Sequence, residues 1–115
     1  MFTLRWTPTA RRQYDELEAA AQKAAATRAQ RGKSKSSGQE GLIKQVRKTV
    51  LLLGQNPRHP GLQTHAYHTI ANPFDPKAKV FEAYARHHTP GTYRVFWCYG
   101  PGKDQVTILA ITAHP

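Results

Sequence analysis

The sequence is poor in cysteine and in long apolar runs. Cys98 is the single cysteine among 115 residues, which excludes an intrachain disulfide and a thiolate metal cluster. No apolar run approaches the ~20 residues of a membrane-spanning helix. The N-terminus, MFTLRWTP, lacks the apolar stretch of a signal peptide. We therefore expect one domain over residues 1–115, in the reducing cytoplasm and without a membrane partner.

Acidic residues are also scarce. Seven Asp and Glu stand against 17 Lys and Arg, which gives a formal net charge of +10. Such an excess in a small domain favours a polyanionic partner, and nucleic acid is the first candidate. A solvated basic face or an acidic protein partner would explain the charge as well.

The usual signatures of cofactor and metal sites are missing. The sequence contains no glycine-rich dinucleotide motif, Walker loop or nucleophile elbow. Adjacent His87 and His88 would point to opposite faces of a strand. His65 and His68 have no obvious carboxylate or cysteine to complete a metal site. The sequence therefore predicts neither a cofactor nor a metal.

What the sequence does contain is an ordered series of strand and helix patterns. The segment FTLRWT alternates as a half-buried strand does. Helical spacing then predicts one helix to about Arg31 and a second from Gln39 to Gly54, joined by a Gly, Ser and Lys connector. A proline-rich loop follows, with a short extended piece near residues 62–67. Three strands separated by turn sequences come last: KVFEAYARHH, TYRVFWCYG and QVTILAITA.

This order predicts an α+β fold. It consists of an N-terminal strand, a two-helix hairpin and a three-stranded antiparallel meander, with the helices packed on one sheet face.

Arg94 and His114 are the residues most suited to chemistry. Arg94 interrupts an apolar, aromatic strand, and a buried charge needs a partner. Glu82 on the neighbouring strand and an anionic ligand such as phosphate both fit, and the residues leave the choice open. His114 ends the last strand, and imidazole can transfer protons near neutral pH. A terminal histidine can equally be an incidental surface residue.

Further side chains that can contact phosphate accompany the meander. Lys77 and Lys79 precede its first strand, and Arg86 and His87 end it. An ordinary solvated edge strand is the alternative for these charges. Tyr99 can stack on a base or orient a phosphate. Alternation along its strand places it opposite Arg94 unless a bulge at Gly100 re-aims it.

Together these segments resemble the RelE/ParE superfamily of bacterial type II toxins. The resemblance spans nearly the whole chain and rests on the ordered set FTLRWT, TARRQYDEL, IKQVRKTVLLL, NPRHPGL, VFEAYA, TYRVFWCYG and TILAITAHP. It implies a small basic toxin that is neutralised by a cognate antitoxin. Toxin and antitoxin can assemble together into higher-order complexes. One branch cuts mRNA on the ribosome, and ParE-like members poison DNA gyrase.

The resemblance also implies roles for individual residues. Arg94 matches the arginine that contacts the scissile phosphate in nuclease members, and His114 matches a histidine that transfers a proton. Lys77, Lys79, Arg86 and His87 fall where nuclease members bind RNA, with Tyr99 as a further contact. We therefore expect a metal-independent endoribonuclease.

The chain departs from the nuclease pattern in three places. Gly61 precedes Leu62 where one branch has a glutamate base, and His65 and His68 are candidates to replace it. Pro115 follows the histidine in place of an aromatic residue. The basic connector from Arg28 to Lys35 is longer than many nuclease members need, and a long helical hairpin is a ParE-like feature. A gyrase inhibitor and a non-toxic nucleic-acid or antitoxin-binding module therefore remain alternatives.

Overall fold

The order of helices and strands confirms the predicted α+β arrangement. The computed structural model describes residues 1–32, 38–86 and 92–113. A fifth strand, β2, forms within the segment that was expected to hold only a short extended piece. The elements are β1 (Thr3–Trp6), α1 (Pro8–Gln30), α2 (Gly38–Gln55), a 3-10 turn (Pro60–Leu62), β2 (His65–Tyr67), β3 (Val80–Arg86), β4 (Tyr93–Tyr99) and β5 (Gln105–Ala113).

The strands form one mixed sheet in the order β1-β5-β4-β3-β2. The meander β3-β4-β5 is antiparallel, as predicted. β1 runs parallel to β5 at one edge, and β2 runs antiparallel to β3 at the other. The first and last strands of the chain are therefore neighbours.

Alternation along β4 divides its side chains between two cores. Val95 and Trp97 face the helices in the main core. Phe96 and Cys98 point to the other face, where a smaller core includes Ile70 from the loop after β2. Both helices pack on one face, so the opposite face is covered only in part.

The two helices form the predicted hairpin. Arg28 near the end of α1 makes a bidentate ion pair with Glu40 at the start of α2. The two nitrogen to oxygen distances are 3.0 and 2.9 Å. Further along, Arg47 contacts Glu18 at 3.0 Å. Among the described helices, none is long and apolar enough to cross a membrane.

A bulge in β5 controls which residues reach the open face. Phe96 lies opposite Ala110, but Trp97 lies opposite Ile108, so Leu109 is the extra residue. Beyond the bulge the pairing resumes, and Thr112 lies opposite Arg94. The end of β5 therefore presents Thr112 on the same face as Arg94.

Thr7 joins β1, α1 and β5. Its hydroxyl accepts a hydrogen bond from the Ala10 amide at 3.0 Å and caps α1. The same hydroxyl donates to the Leu109 carbonyl at 2.8 Å, where β5 bulges.

Thr7→Ala should therefore lower the free energy of unfolding by about 1–2 kcal/mol, because it removes the cap and leaves the Leu109 carbonyl without this donor. Urea unfolding followed by circular dichroism measures the change. Thr9→Ala, which removes an exposed hydroxyl two residues later, is the control and should change stability by less than about 0.5 kcal/mol. Equal effects of the two substitutions would contradict the assigned role.

Candidate functional site

Arg94 is held by Glu82 on the sheet face away from the helices. Its Nη1 donates to Glu82 Oε2 at 2.7 Å, and the two side chains are 8% and 10% exposed. The guanidinium also lies 4.8 Å from the Phe96 ring centre and 5.4 Å from that of Tyr67. Of the two partners left open by the sequence, the carboxylate is the one in contact with Arg94.

Glu82 does not use every donor of Arg94. The Nε atom of Arg94 is buried and has no hydrogen-bond partner among the described residues. Buried donors usually find acceptors, because losing water without replacement costs free energy. The ion pair therefore satisfies only part of the guanidinium.

Tyr84 forms a hydrogen bond with the second carboxylate oxygen of Glu82. Its hydroxyl donates to Glu82 Oε1 at 3.3 Å. Burial, together with the negative charge of Glu82, raises the pKa of the Tyr84 phenol. The phenol is therefore protonated at neutral pH, so it serves as a donor to Glu82.

His65 and Thr112 complete this group from the two flanking strands. His65 on β2 lies directly opposite Glu82 on β3, and its ring meets the Tyr84 ring edge-on with 6.0 Å between centres. Thr112 on β5 lies opposite Arg94. We call the five residues on these four strands the polar cluster: His65, Glu82, Tyr84, Arg94 and Thr112.

The members of the polar cluster differ in access to solvent. His65 is exposed, and Tyr84 and Thr112 are half-buried, whereas Arg94 and Glu82 are buried. A ligand that approaches the sheet face away from the helices would therefore meet the imidazole and the phenol before the buried ion pair.

The structure places the sequence-predicted residues in several different regions. Arg86 ends β3, and its backbone lies opposite Tyr93. Its side chain, together with His87 and His114, lies outside the described part of the chain. Lys77 and Lys79 are exposed in the loop before β3, at the strand end opposite to the Tyr84 and Arg94 pair.

Tyr99 lies far from Arg94, on the helix side of the sheet. It ends β4, is 41% exposed, and packs edge-on against Trp97 at 5.0 Å and Phe81 at 6.0 Å. The alternation argument is confirmed, and Gly100 does not re-aim the ring. The structure thus separates Tyr99 from Arg94, and its role in RNA binding stays a prediction.

Sequence reasoning missed two residues of the site. Tyr84 and Thr112 were not singled out, although both are polar residues in apolar strands. Among the described residues, no group of three or more His, Cys, Asp or Glu is placed to hold a metal ion.

The three-dimensional structure of this chain is similar to solved structures of other proteins. A YoeB/ParE toxin from Agrobacterium tumefaciens matches with a TM-score of 0.60 and 7% sequence identity, over 98% of this chain and 99% of its own. A copper-bound mutant toxin from Helicobacter pylori matches with a TM-score of 0.53 and 15% identity, over 99% of this chain and 96% of its own. No protein-family model and no curated protein matches the sequence. The chain therefore has the fold of RelE/ParE-type toxins.

Proposed function

We propose that this protein is the toxin of a bacterial type II toxin–antitoxin system and that it inhibits translation by cutting mRNA on the ribosome without a metal. The observation that carries the proposal is the polar cluster, in which a buried arginine with an unused donor lies among a histidine, a tyrosine and a carboxylate. The RelE/ParE-type fold supports the toxin class.

Arg94 has the charge that RNA cleavage requires. When a 2′-hydroxyl attacks the adjacent phosphate, negative charge accumulates on the phosphate oxygens. A guanidinium placed in a site of low water content stabilises this charge strongly. In this proposal the phosphate approaches Arg94 from the side of Tyr84 and Thr112 and competes with Glu82 for its N–H groups.

His114 is proposed to transfer a proton in the same reaction. The leaving 5′ oxygen needs a proton as the phosphorus to oxygen bond breaks, and imidazole can supply it near neutral pH. His114 follows Thr112 by two positions in the sequence, and Thr112 is the residue opposite Arg94. Lys77, Lys79, Arg86, His87 and Tyr99 are proposed to contact RNA over a wider surface.

The partners proposed for this protein are polyanions and an acidic protein. The net charge of +10 favours messenger and ribosomal RNA, and both would be met in the cytoplasm. The cognate antitoxin would present an acidic segment that folds as it binds. Binding of that segment would neutralise part of the basic surface.

A gyrase inhibitor is the second candidate, and two observations favour it. Arg94 is already paired with Glu82, so its charge is partly neutralised before any phosphate arrives. The helical hairpin is also long, with 23 residues in α1 and 18 in α2. This function would require neither an acid nor a base in the polar cluster.

Two assays on the purified protein distinguish these candidates. In the first, the protein is added to ribosomes programmed with mRNA, and new RNA ends are mapped. In the second, supercoiling by DNA gyrase is followed with increasing protein. We expect new ends on ribosome-bound mRNA, reduced about 100-fold or more in His114→Ala. Loss of supercoiling with intact mRNA would favour the gyrase inhibitor instead.

A further inference from the structure

The reaction proposed above needs a group that takes the proton of the attacking 2′-hydroxyl. Three members of the polar cluster are unsuited to this task. Both carboxylate oxygens of Glu82 are occupied, one by Arg94 at 2.7 Å and one by Tyr84 at 3.3 Å, and the side chain is 10% exposed. The Arg94 guanidinium has only donor N–H groups and no acceptor atom to take a proton. The raised pKa of Tyr84 keeps its phenol protonated as well.

His65 is free of these restrictions. It is exposed on β2, at the rim of the polar cluster, and its ring approaches the Tyr84 ring edge-on at 6.0 Å. The cross-strand pairing with Glu82 places it on the same sheet face as Arg94. Neutral imidazole has one nitrogen that accepts a proton, so His65 combines suitable chemistry with access for a substrate.

The other described histidines are less suited. His59 lies in the 3-10 turn region, where its Nδ1 accepts a hydrogen bond from the Gly61 amide at 2.9 Å. His68 is exposed but follows the end of β2, outside the ladder that fixes His65 opposite Glu82.

We propose that His65 is the general base of the RNA cleavage, an inference that rests on the proposed nuclease function. A nitrogen of His65 takes the proton of the 2′-hydroxyl as its oxygen bonds to phosphorus. The bond from phosphorus to the 5′ oxygen breaks, and that oxygen receives a proton from His114. The products are a 2′,3′-cyclic phosphate and a 5′-hydroxyl, so atoms and electrons balance without an oxidant, a reductant or a metal.

Single-turnover cleavage of ribosome-bound mRNA tests the proposal with two matched variants. His65→Ala should slow cleavage about 100-fold or more, because general base catalysis typically contributes this much. His68→Ala removes the same side chain three positions further along and should stay within about threefold of the wild type, as expected of a residue outside the chemistry. Added imidazole should restore part of the activity of His65→Ala and leave His68→Ala unchanged.

Folding and binding are measured on the same samples. Because His65 is exposed, both variants should keep the wild-type circular dichroism spectrum and thermal midpoint. Both should also bind ribosomes as the wild type does, so that the loss lies in the chemical step. His65→Gln serves as a second variant that retains hydrogen bonding without proton transfer, and it should be as slow as His65→Ala.

The outcomes separate this inference from the proposed function. If the wild type cleaves and His65→Ala cleaves at the same rate, the inference is wrong and the nuclease function stands. If both His65 variants are slow and either ribosome binding is lost or imidazole restores no activity to His65→Ala, His65 is not the base and the inference is overturned. If the wild type itself leaves ribosome-bound mRNA intact, the nuclease function and the inference fall together.

Discussion

Glu82→Ala is expected to lower the free energy of unfolding by about 3–5 kcal/mol, because it leaves the Arg94 guanidinium buried without a counter-charge. The Arg94 side chain is 8% exposed, and its guanidinium lies against the rings of Phe96 and Tyr67. Without the carboxylate, a largely buried charge loses its hydrogen-bond acceptor, which costs free energy. Thermal unfolding should therefore show a midpoint at least ~10 °C lower.

An exposed ion pair supplies the control for this substitution. Arg12 and Glu16 on α1 lie 3.8 Å apart, with 66% and 69% of their side chains exposed. Glu16→Ala should change the free energy of unfolding by less than about 1 kcal/mol, because solvent screens such pairs. A Glu82→Ala effect no larger than that of Glu16→Ala would contradict the buried ion pair.

The second large effect concerns activity. Replacing both partners, as Glu82→Leu with Arg94→Met, exchanges the buried ion pair for apolar side chains of similar volume. Such exchanges are often neutral or stabilising, so the double variant should unfold near the wild-type midpoint. Its cleavage of ribosome-bound mRNA should nevertheless fall about 100-fold or more, because the charge that stabilises the transition state is gone.

The unfolding midpoint and the cleavage rate of the double variant distinguish a structural role of Arg94 from a catalytic one. A double variant that is stable but inactive assigns Arg94 to catalysis. A double variant that is stable and cleaves at the wild-type rate would make Arg94 a purely structural residue, and the nuclease mechanism would lose its central cation. Single-turnover rates at saturating protein are the appropriate readout, since they exclude changes in ribosome binding.

The sequence predicted most of the fold because its patterns are local. Alternation in FTLRWT and in the last three strands, and helical spacing in between, depend on neighbouring residues alone. The same alternation correctly separated Tyr99 from Arg94. β2 escaped a firm assignment because it has only three residues, and its pairing with β3 depends on a distant segment.

The candidate site was harder to predict because it is assembled across strands. His65 and Glu82 are neighbours only through the register of β2 on β3, and Thr112 reaches Arg94 only because β5 bulges at Leu109. Neither a strand register nor a β-bulge can be predicted from the spacing of neighbouring residues. The sequence likewise left open whether Arg94 pairs with Glu82 or with an anionic ligand. Only the structure, with a 2.7 Å contact between Arg94 and Glu82, identifies the carboxylate as a partner.

The most direct test is to map the 5′ ends of mRNA by primer extension in bacteria that briefly express the wild type or His114→Ala, with the DNA damage response followed in parallel. The proposed nuclease function predicts new ends within translated codons for the wild type, their loss in His114→Ala, and no DNA damage response. Intact mRNA accompanied by a strong DNA damage response would contradict it.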